Sequence, residues 1–251
     1  AGADGAGRLA RTGEDAGPPV RSSPPIANWF LANNRQALLS LANTNVQLWD
    51  LRSGQPLSPP IVVGDYPSHA ASSADGQRLY LAVGTNLLTW VSRSCQPIQP
   101  PVPFPNKLNY FAFDPDERRY VTCLSDSTWS NLWAQVWDAK TRRPISPRLR
   151  HDDGVLYAAF SPDGQKLATC GEDFTARIWD ISSGTLLAEP LQHNHQVHMV
   201  DFSKDGRWLL TASWDRTARL WDVETGEPIS PPLRNPTILN CGGFLEGAYH
   251  F

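Results

Sequence analysis

The sequence predicts an all-β protein built from tandem four-stranded antiparallel sheets, and three observations predict it. Tryptophans stand at 49, 90, 137, 179 and 221, separated by 41, 47, 42 and 42 residues. A fixed period of this length marks a stacked repeat. Four of the five begin a tryptophan–aspartate pair: Trp49-Asp50, Trp137-Asp138, Trp179-Asp180 and Trp221-Asp222. Finally, no stretch of about 10 to 15 residues carries a helical period.

The clearest unit gives the strands in order. Val155 to Phe160 alternates apolar and small residues, and Asp163-Gly164 is a hairpin turn in which glycine tolerates positive φ. Lys166 to Cys170 is the second strand, and Glu172-Asp173-Phe174 turns the chain. Ala176 to Asp180 is the third strand, ending in β-branched and aromatic residues. After the Ser183-Gly184 turn, Leu186 to Leu191 is the outermost strand. Prolines mark that last strand throughout: Pro59-Pro60, Pro100-Pro101, Pro147, Pro190 and Pro231-Pro232 each follow a repeat tryptophan by about ten residues. Proline lacks a backbone N–H and belongs on an edge, where it also discourages pairing with another chain. The 22 prolines therefore point to sheet rims, not to disorder.

The units run at about 26–60, 61–101, 102–148, 149–190 and 191–232, with a partial unit at 233–251. At an offset of 42 residues, Phe160-Ser161-Pro162-Asp163-Gly164 becomes Phe202-Ser203-Lys204-Asp205-Gly206, and Thr169 becomes Thr211. Asp173-Phe174-Thr175-Ala176-Arg177-Ile178-Trp179-Asp180 becomes Asp215-Arg216-Thr217-Ala218-Arg219-Leu220-Trp221-Asp222. With its whole register, this resembles the WD-repeat β-propeller family. The likeness covers residues 26 to 247 and is strongest from 137 to 233. One sheet cannot bury both faces alone, whereas blades packed radially can. The expected architecture is a propeller of about five four-stranded blades plus a partial sixth, as an incomplete or open ring. Seven-bladed members would need roughly 300 residues at this period, so the chain reads as a piece of a longer protein, with a closed five-bladed ring as the second choice. Ile238 to Phe244 would open the sixth blade.

Composition bounds the function. The chain has 251 residues, 41% hydrophobic and 10% aromatic, which suits one large all-β domain. A net charge of −3 gives no basic face for nucleic acid; Arg118-Arg119 and Arg142-Arg143 read as solvated turns. No apolar run approaches the length of a membrane span, and residues 1–25 lack a hydrophobic signal core. They read as a disordered linker, or as the remnant of a preceding blade: Arg8-Leu9 and Thr12-Gly13-Glu14 echo Arg219-Leu220 and Thr225-Gly226-Glu227. Cys123 and Cys170 each follow a strand threonine where the next unit has Ala212, so they read as core residues. With Cys95 and Cys241 they show neither metal spacing nor a disulfide framework. A reducing, cytoplasmic setting is expected.

The residues able to carry chemistry are mostly repeated. His151, Thr169 and Asp173 suggest a hydrolytic triad, and so do His193, Thr211 and Asp215. Two copies one period apart argue against a single active site. The resemblance implies instead that His151, Thr169, Asp173 and Trp179 form a buried structural hydrogen-bond network, as do His193, Thr211, Asp215 and Trp221. By register Phe104 replaces the histidine in the third unit and Val63 in the second, while Thr122 and Asp126 remain in the third. Those two units must rely on packing and are expected to be less rigid. His193, His195 and His198 form a compact cluster, but no metal is expected because no carboxylate or cysteine completes a ligand set. Asp163-Gly164 and Asp205-Gly206 lack calcium-loop spacing, and no phosphate-binding loop is present. No cofactor is expected.

One departure from the repeat stands out. The third unit is about five residues longer, carrying Ser125-Asp126-Ser127-Thr128-Trp129-Ser130-Asn131. The resemblance places this loop on a face that receives partners. Trp214 occupies the analogous loop, with Glu172 as its counterpart, and Leu156, His198 and Asn240 begin equivalent inner strands. Trp129, Trp214, Glu172, Leu156, His198 and Asn240 are therefore the candidate partner-binding residues. The expected function is a non-catalytic scaffold for a protein or peptide partner. The alternatives are a hydrolase or lyase built on the propeller, and a purely architectural segment of a larger signalling protein. The proline-rich rims resemble those of bacterial multidomain WD-repeat proteins, some of which carry a kinase.

Overall fold

The computed structural model describes residues 44–234, apart from 51, 74, 93, 95, 99 and 126–132; before residue 44 it describes strands at 6–7, 20–21, 26–33 and 36–41. Trp129, Asp126, Asn240, Cys95, Cys241 and the partial sixth unit beyond Arg234 lie outside the described residues. The chain divides into two compact units, residues 1–108 and 109–251. Among the described residues every regular element is a strand.

The first unit holds two blades. One runs Ile26–Asn33, Gln36–Leu41, Asn45–Asp50 and then an outer edge in two pieces, Gln55–Pro56 and Ile61–Val62, both paired with Asn45–Asp50. The next runs Pro67–Ser72, Arg78–Val83, Asn86–Val91 and Val102–Pro103. A short ladder also pairs Ala6–Gly7 with Val20–Arg21. The second unit holds three blades. They are Lys107–Phe113, Arg119–Ser125, Trp133–Asp138, Leu149–Arg150; Val155–Phe160, Lys166–Gly171, Thr175–Asp180, Leu191–Gln192; and Val197–Phe202, Trp208–Ser213, Thr217–Asp222, Leu233–Arg234. All pairings are antiparallel, so this is the all-β, four-stranded-blade architecture of a β-propeller.

The outer strand differs from the continuous Leu186 to Leu191 segment that the sequence suggested. In four blades it touches its neighbour first at an isolated bridge opposite the tryptophan: Trp90 with Pro97, Trp137 with Pro144, Trp179 with Leu186, Trp221 with Pro228. It then leaves the ladder across the proline positions and rejoins it for two residues, as at Leu191–Gln192 against Thr175 and Ala176. The prolines at 59–60, 100–101, 147, 190 and 231–232, which lack an N–H, sit where no ladder bond is made. Where the strand departs, a serine substitutes: Ser58 Oγ accepts from Leu48 N at 3.0 Å, and Ser146 Oγ from Val136 N at 2.9 Å. The rejoining segments, such as Ile61–Val62, fall at the start of the following sequence period.

Two turn devices recur along the chain. The aspartate of each Trp-Asp pair caps the turn behind it: Asp50, Asp138, Asp180 and Asp222 accept the backbone N–H three residues on, at 2.7, 2.6, 2.8 and 2.9 Å. At the opposite hairpin Ser161 Oγ donates to Asp163 Oδ1 at 2.5 Å, and Ser203 Oγ to Asp205 Oδ1 at 2.6 Å.

Side-chain alternation places the core between blades. Val121, Cys123, Val136 and Leu149 pack against Val155, Ala158, Leu167 and Trp179. The other face of that next blade, through Ala168, Cys170, Ala176 and Ile178, packs on Val197, Val200, Leu209 and Trp221. In the first unit Val46 and Leu48 meet Leu79, Leu81, Val83 and Trp90. The sheet from Val155 to Gln192 thus buries both faces. Burial raises the Cys123 and Cys170 thiols well above their ordinary range, so both are inert core residues.

Candidate functional site

Two polar constellations recur in the second unit. His151 Nδ1 lies 2.9 Å from Asp173 Oδ2, and His151 Nε2 lies 2.7 Å from Thr169 Oγ1. Trp179 Nε1 donates to the same hydroxyl at 2.7 Å. In the next blade His193 lies 3.0 Å from Asp215 and 2.7 Å from Thr211, while Trp221 donates to Thr211 at 2.9 Å. Burial holds His151 and His193 below the usual imidazole range, overriding their carboxylate partners. A neutral ring with its proton on Nδ1 meets every requirement: Nδ1–H donates to the carboxylate, and Nε2 accepts from the threonine, whose oxygen accepts from the indole. Asp173 is pushed up by its own burial, but bonds from His151, Thr175 and the Asp152 amide outweigh that and hold it at about 2.

This geometry ties blades together. The His193 amide donates to Phe174 O in one blade at 2.9 Å, while its ring binds Asp215 and Thr211 in the next. Thr169 and Thr211 are wholly buried, with their hydroxyls already engaged. Chemically the arrangement is a relay of satisfied buried groups, with no exposed hydroxyl to attack a substrate.

The remaining described blades keep parts of it. Trp137 Nε1 donates to Thr122 Oγ1 at 2.8 Å, with buried Phe104 at the histidine position. In the first blade the register position of Thr169 is Leu39, opposite Gln47, and the buried Trp49 Nε1 has no hydrogen-bond partner among the described residues.

The rim of the last two blades gathers a second set of residues. The Trp214 ring stacks on His198, with centroids 4.1 Å apart and planes 16° apart. His195 lies 5.8 Å from Trp214 and 5.5 Å from Phe174, ring centre to ring centre. Gln196 Nε2 donates to Glu172 Oε1 at 3.3 Å, and His198 Nε2 lies 3.3 Å from Gln196 Oε1. Of the candidate partner-binding residues, Glu172, His198 and Trp214 are therefore brought together. Leu156 is half-buried at the head of its strand, beside the bulge between Val155 and Tyr157.

Phe174, His195 and Gln196 complete this rim and escaped recognition as partner-facing residues. Phe174 was readable as an aromatic at a turn position that carries Arg216 one period later. It holds a φ of 65° and remains 43% exposed, so it is displayed, not packed. The histidine cluster separates in space by role: His193 goes to the buried relay, His195 and His198 to the aromatic rim. Among the described residues no three His, Cys, Asp or Glu side chains are arranged to hold a metal.

The family model for the WD domain, G-beta repeat, matches residues 145–180 and 184–222. These two segments are WD repeats, and the chain carries them on propeller blades. No curated protein matches the chain. Among solved structures, it is similar to a chain of Kuenenia stuttgartiensis hydrazine synthase, with 16% identity and a TM-score of 0.64. The match covers 76% of this chain and 62% of that one, so this chain spans less than two thirds of the other's length. At that identity the likeness concerns the fold alone. Among the described residues no helix is long and apolar enough to cross a membrane.

Proposed function

We infer that the chain is a non-catalytic interaction module whose blade-rim loops receive a protein or peptide partner. The observation that carries this reading is the assembly of Glu172, His198 and Trp214, with Phe174 and His195, on one rim. Trp214 is 37% exposed and Phe174 43% exposed, and neighbouring exposed aromatic faces are typical binding anchors. The buried relays beneath support the same reading, because they hold the loops rigid and lower the ordering cost of binding. Scaffolding of partners is typical of WD-repeat proteins.

The test is a quantitative pull-down from the source lysate with wild-type chain and with Trp214→Ala. Loss of specific partners from the variant, at unchanged thermal stability, is the expected result. Identical recovery from both proteins refutes the reading.

A further inference from the structure

The rim is a composite of two adjacent blades that use the same loop positions for opposite chemistry. At the 42-residue offset Asp153 corresponds to His195, and Glu172 corresponds to Trp214. One blade thus offers a pair of carboxylates where the next offers an imidazole and an indole. The Gln196–Glu172 bond and the Phe174–His195 contact join the two halves.

Among the described residues the carboxylates have no partner of opposite charge. Asp153 accepts from the Gly154 amide at 2.8 Å, and Glu172 accepts from the neutral Gln196 amide at 3.3 Å. Neither forms an ion pair among the described residues. The contrast with Asp152 beside it is direct, because that carboxylate is paired with Arg177. Burial first, and then the charge of Asp153, raise Glu172 above its ordinary range. A partly desolvated carboxylate facing a like charge lacks a cation. The adjacent surface is made of exposed aromatic faces, which also attract cations.

We propose that this rim binds an arginine side chain presented by an extended segment of a partner protein, its guanidinium lying against Trp214 and Phe174 and pairing with Glu172. This rests on the interaction reading above and names the partner's chemistry. Arginine fits better than lysine because a planar guanidinium stacks on aromatic rings and offers a carboxylate two donors at once, with little loss of hydration. The partner contributes the positive charge, and Asp153 adds to the field that draws it in.

The experiment pans a random dodecapeptide phage library on the immobilised 251-residue chain. Affinities of the selected peptides are then measured by fluorescence anisotropy. The expected result is one invariant arginine flanked by variable residues. Replacing that arginine by citrulline, which keeps the shape and removes the charge, should weaken binding roughly tenfold without touching the protein. Glu172→Gln and Trp214→Ala should each cost roughly tenfold, while Trp214→Phe retains most of the affinity. Selection of peptides with lysine, acidic residues or no charge at a fixed position overturns the proposal. So does citrulline binding as well as arginine, or failure to select any peptide. Peptides lacking arginine that still depend on Trp214 would leave the interaction reading standing while this inference falls. Peptides indifferent to Trp214→Ala would remove both.

Discussion

The blades at 149–234 and those at 44–104 share strand order and turns, yet they satisfy their buried tryptophans differently. In the former, each indole N–H ends on a threonine that also serves a histidine. In the latter, Trp49 Nε1 is buried without a partner among the described residues, and Leu39 and Leu81 occupy the threonine positions. Strand pairing and alternating apolar residues are thus enough to form a blade. The polar relay is an addition that joins one blade to the next, because the histidine backbone and the histidine ring belong to different blades. Packing is tolerant of exchange, whereas a hydrogen-bonded relay demands every member.

The comparison is broken most sharply at the shared hydroxyl. Thr169→Val keeps the shape but leaves His151 Nε2 and Trp179 Nε1 unpaired, and should lower stability by about 3 kcal/mol in urea unfolding. Thr211→Val should do the same. A loss below about 1 kcal/mol would show that the relay matters no more than ordinary packing.

Acidification is the next test. His151 and His193 titrate below 6.5 in the folded protein, and His69, pushed down to about 4 by burial, behaves alike. Unfolding therefore takes up protons between the folded value and 6.5, so their stabilising contribution is present at pH 7 and is lost as the pH falls through that window. Asp173, at about 2 folded against 3.8, loses its contribution lower still. Tm should fall from pH 7 to pH 5, with a shallower slope in His193→Gln; a flat profile would contradict neutral buried imidazoles.

Hydrogen exchange should distinguish the regions locally. Amides of Ala168 to Cys170 are expected to exchange roughly tenfold more slowly than those of Tyr80 to Ala82, equivalent to about 1.4 kcal/mol of added protection. Equal protection would mean that the relay does not stiffen its blades. The smallest effect is the reverse graft: Leu39→Thr supplies a hydroxyl at the register position opposite Gln47 and should raise stability by under about 1 kcal/mol in urea unfolding; a loss of stability would show that a hydroxyl alone does not make a relay.

Much of this was readable beforehand because the signals are local or periodic. Trp-Asp pairs, Asp-Gly turns and proline positions each report a requirement of a single turn or strand edge. Repetition supplied the relay residues, since His151 and His193 carry the same companions at the same offset. The split outer strand was not readable, because prolines tell that a strand is exposed but not that it leaves its neighbour and returns. Nor was the joining of Glu172 to Gln196, residues 24 apart whose meeting depends on how adjacent blades are seated.

By itself the sequence determined the strand order, the turn chemistry and the identity of the buried polar residues, since each follows from short-range sterics and a two-residue alternation. Only the tertiary structure decided that the acidic positions of one blade lie beside the aromatic positions of the next. That proximity comes from face-to-face packing of whole sheets, a geometry no single repeat contains.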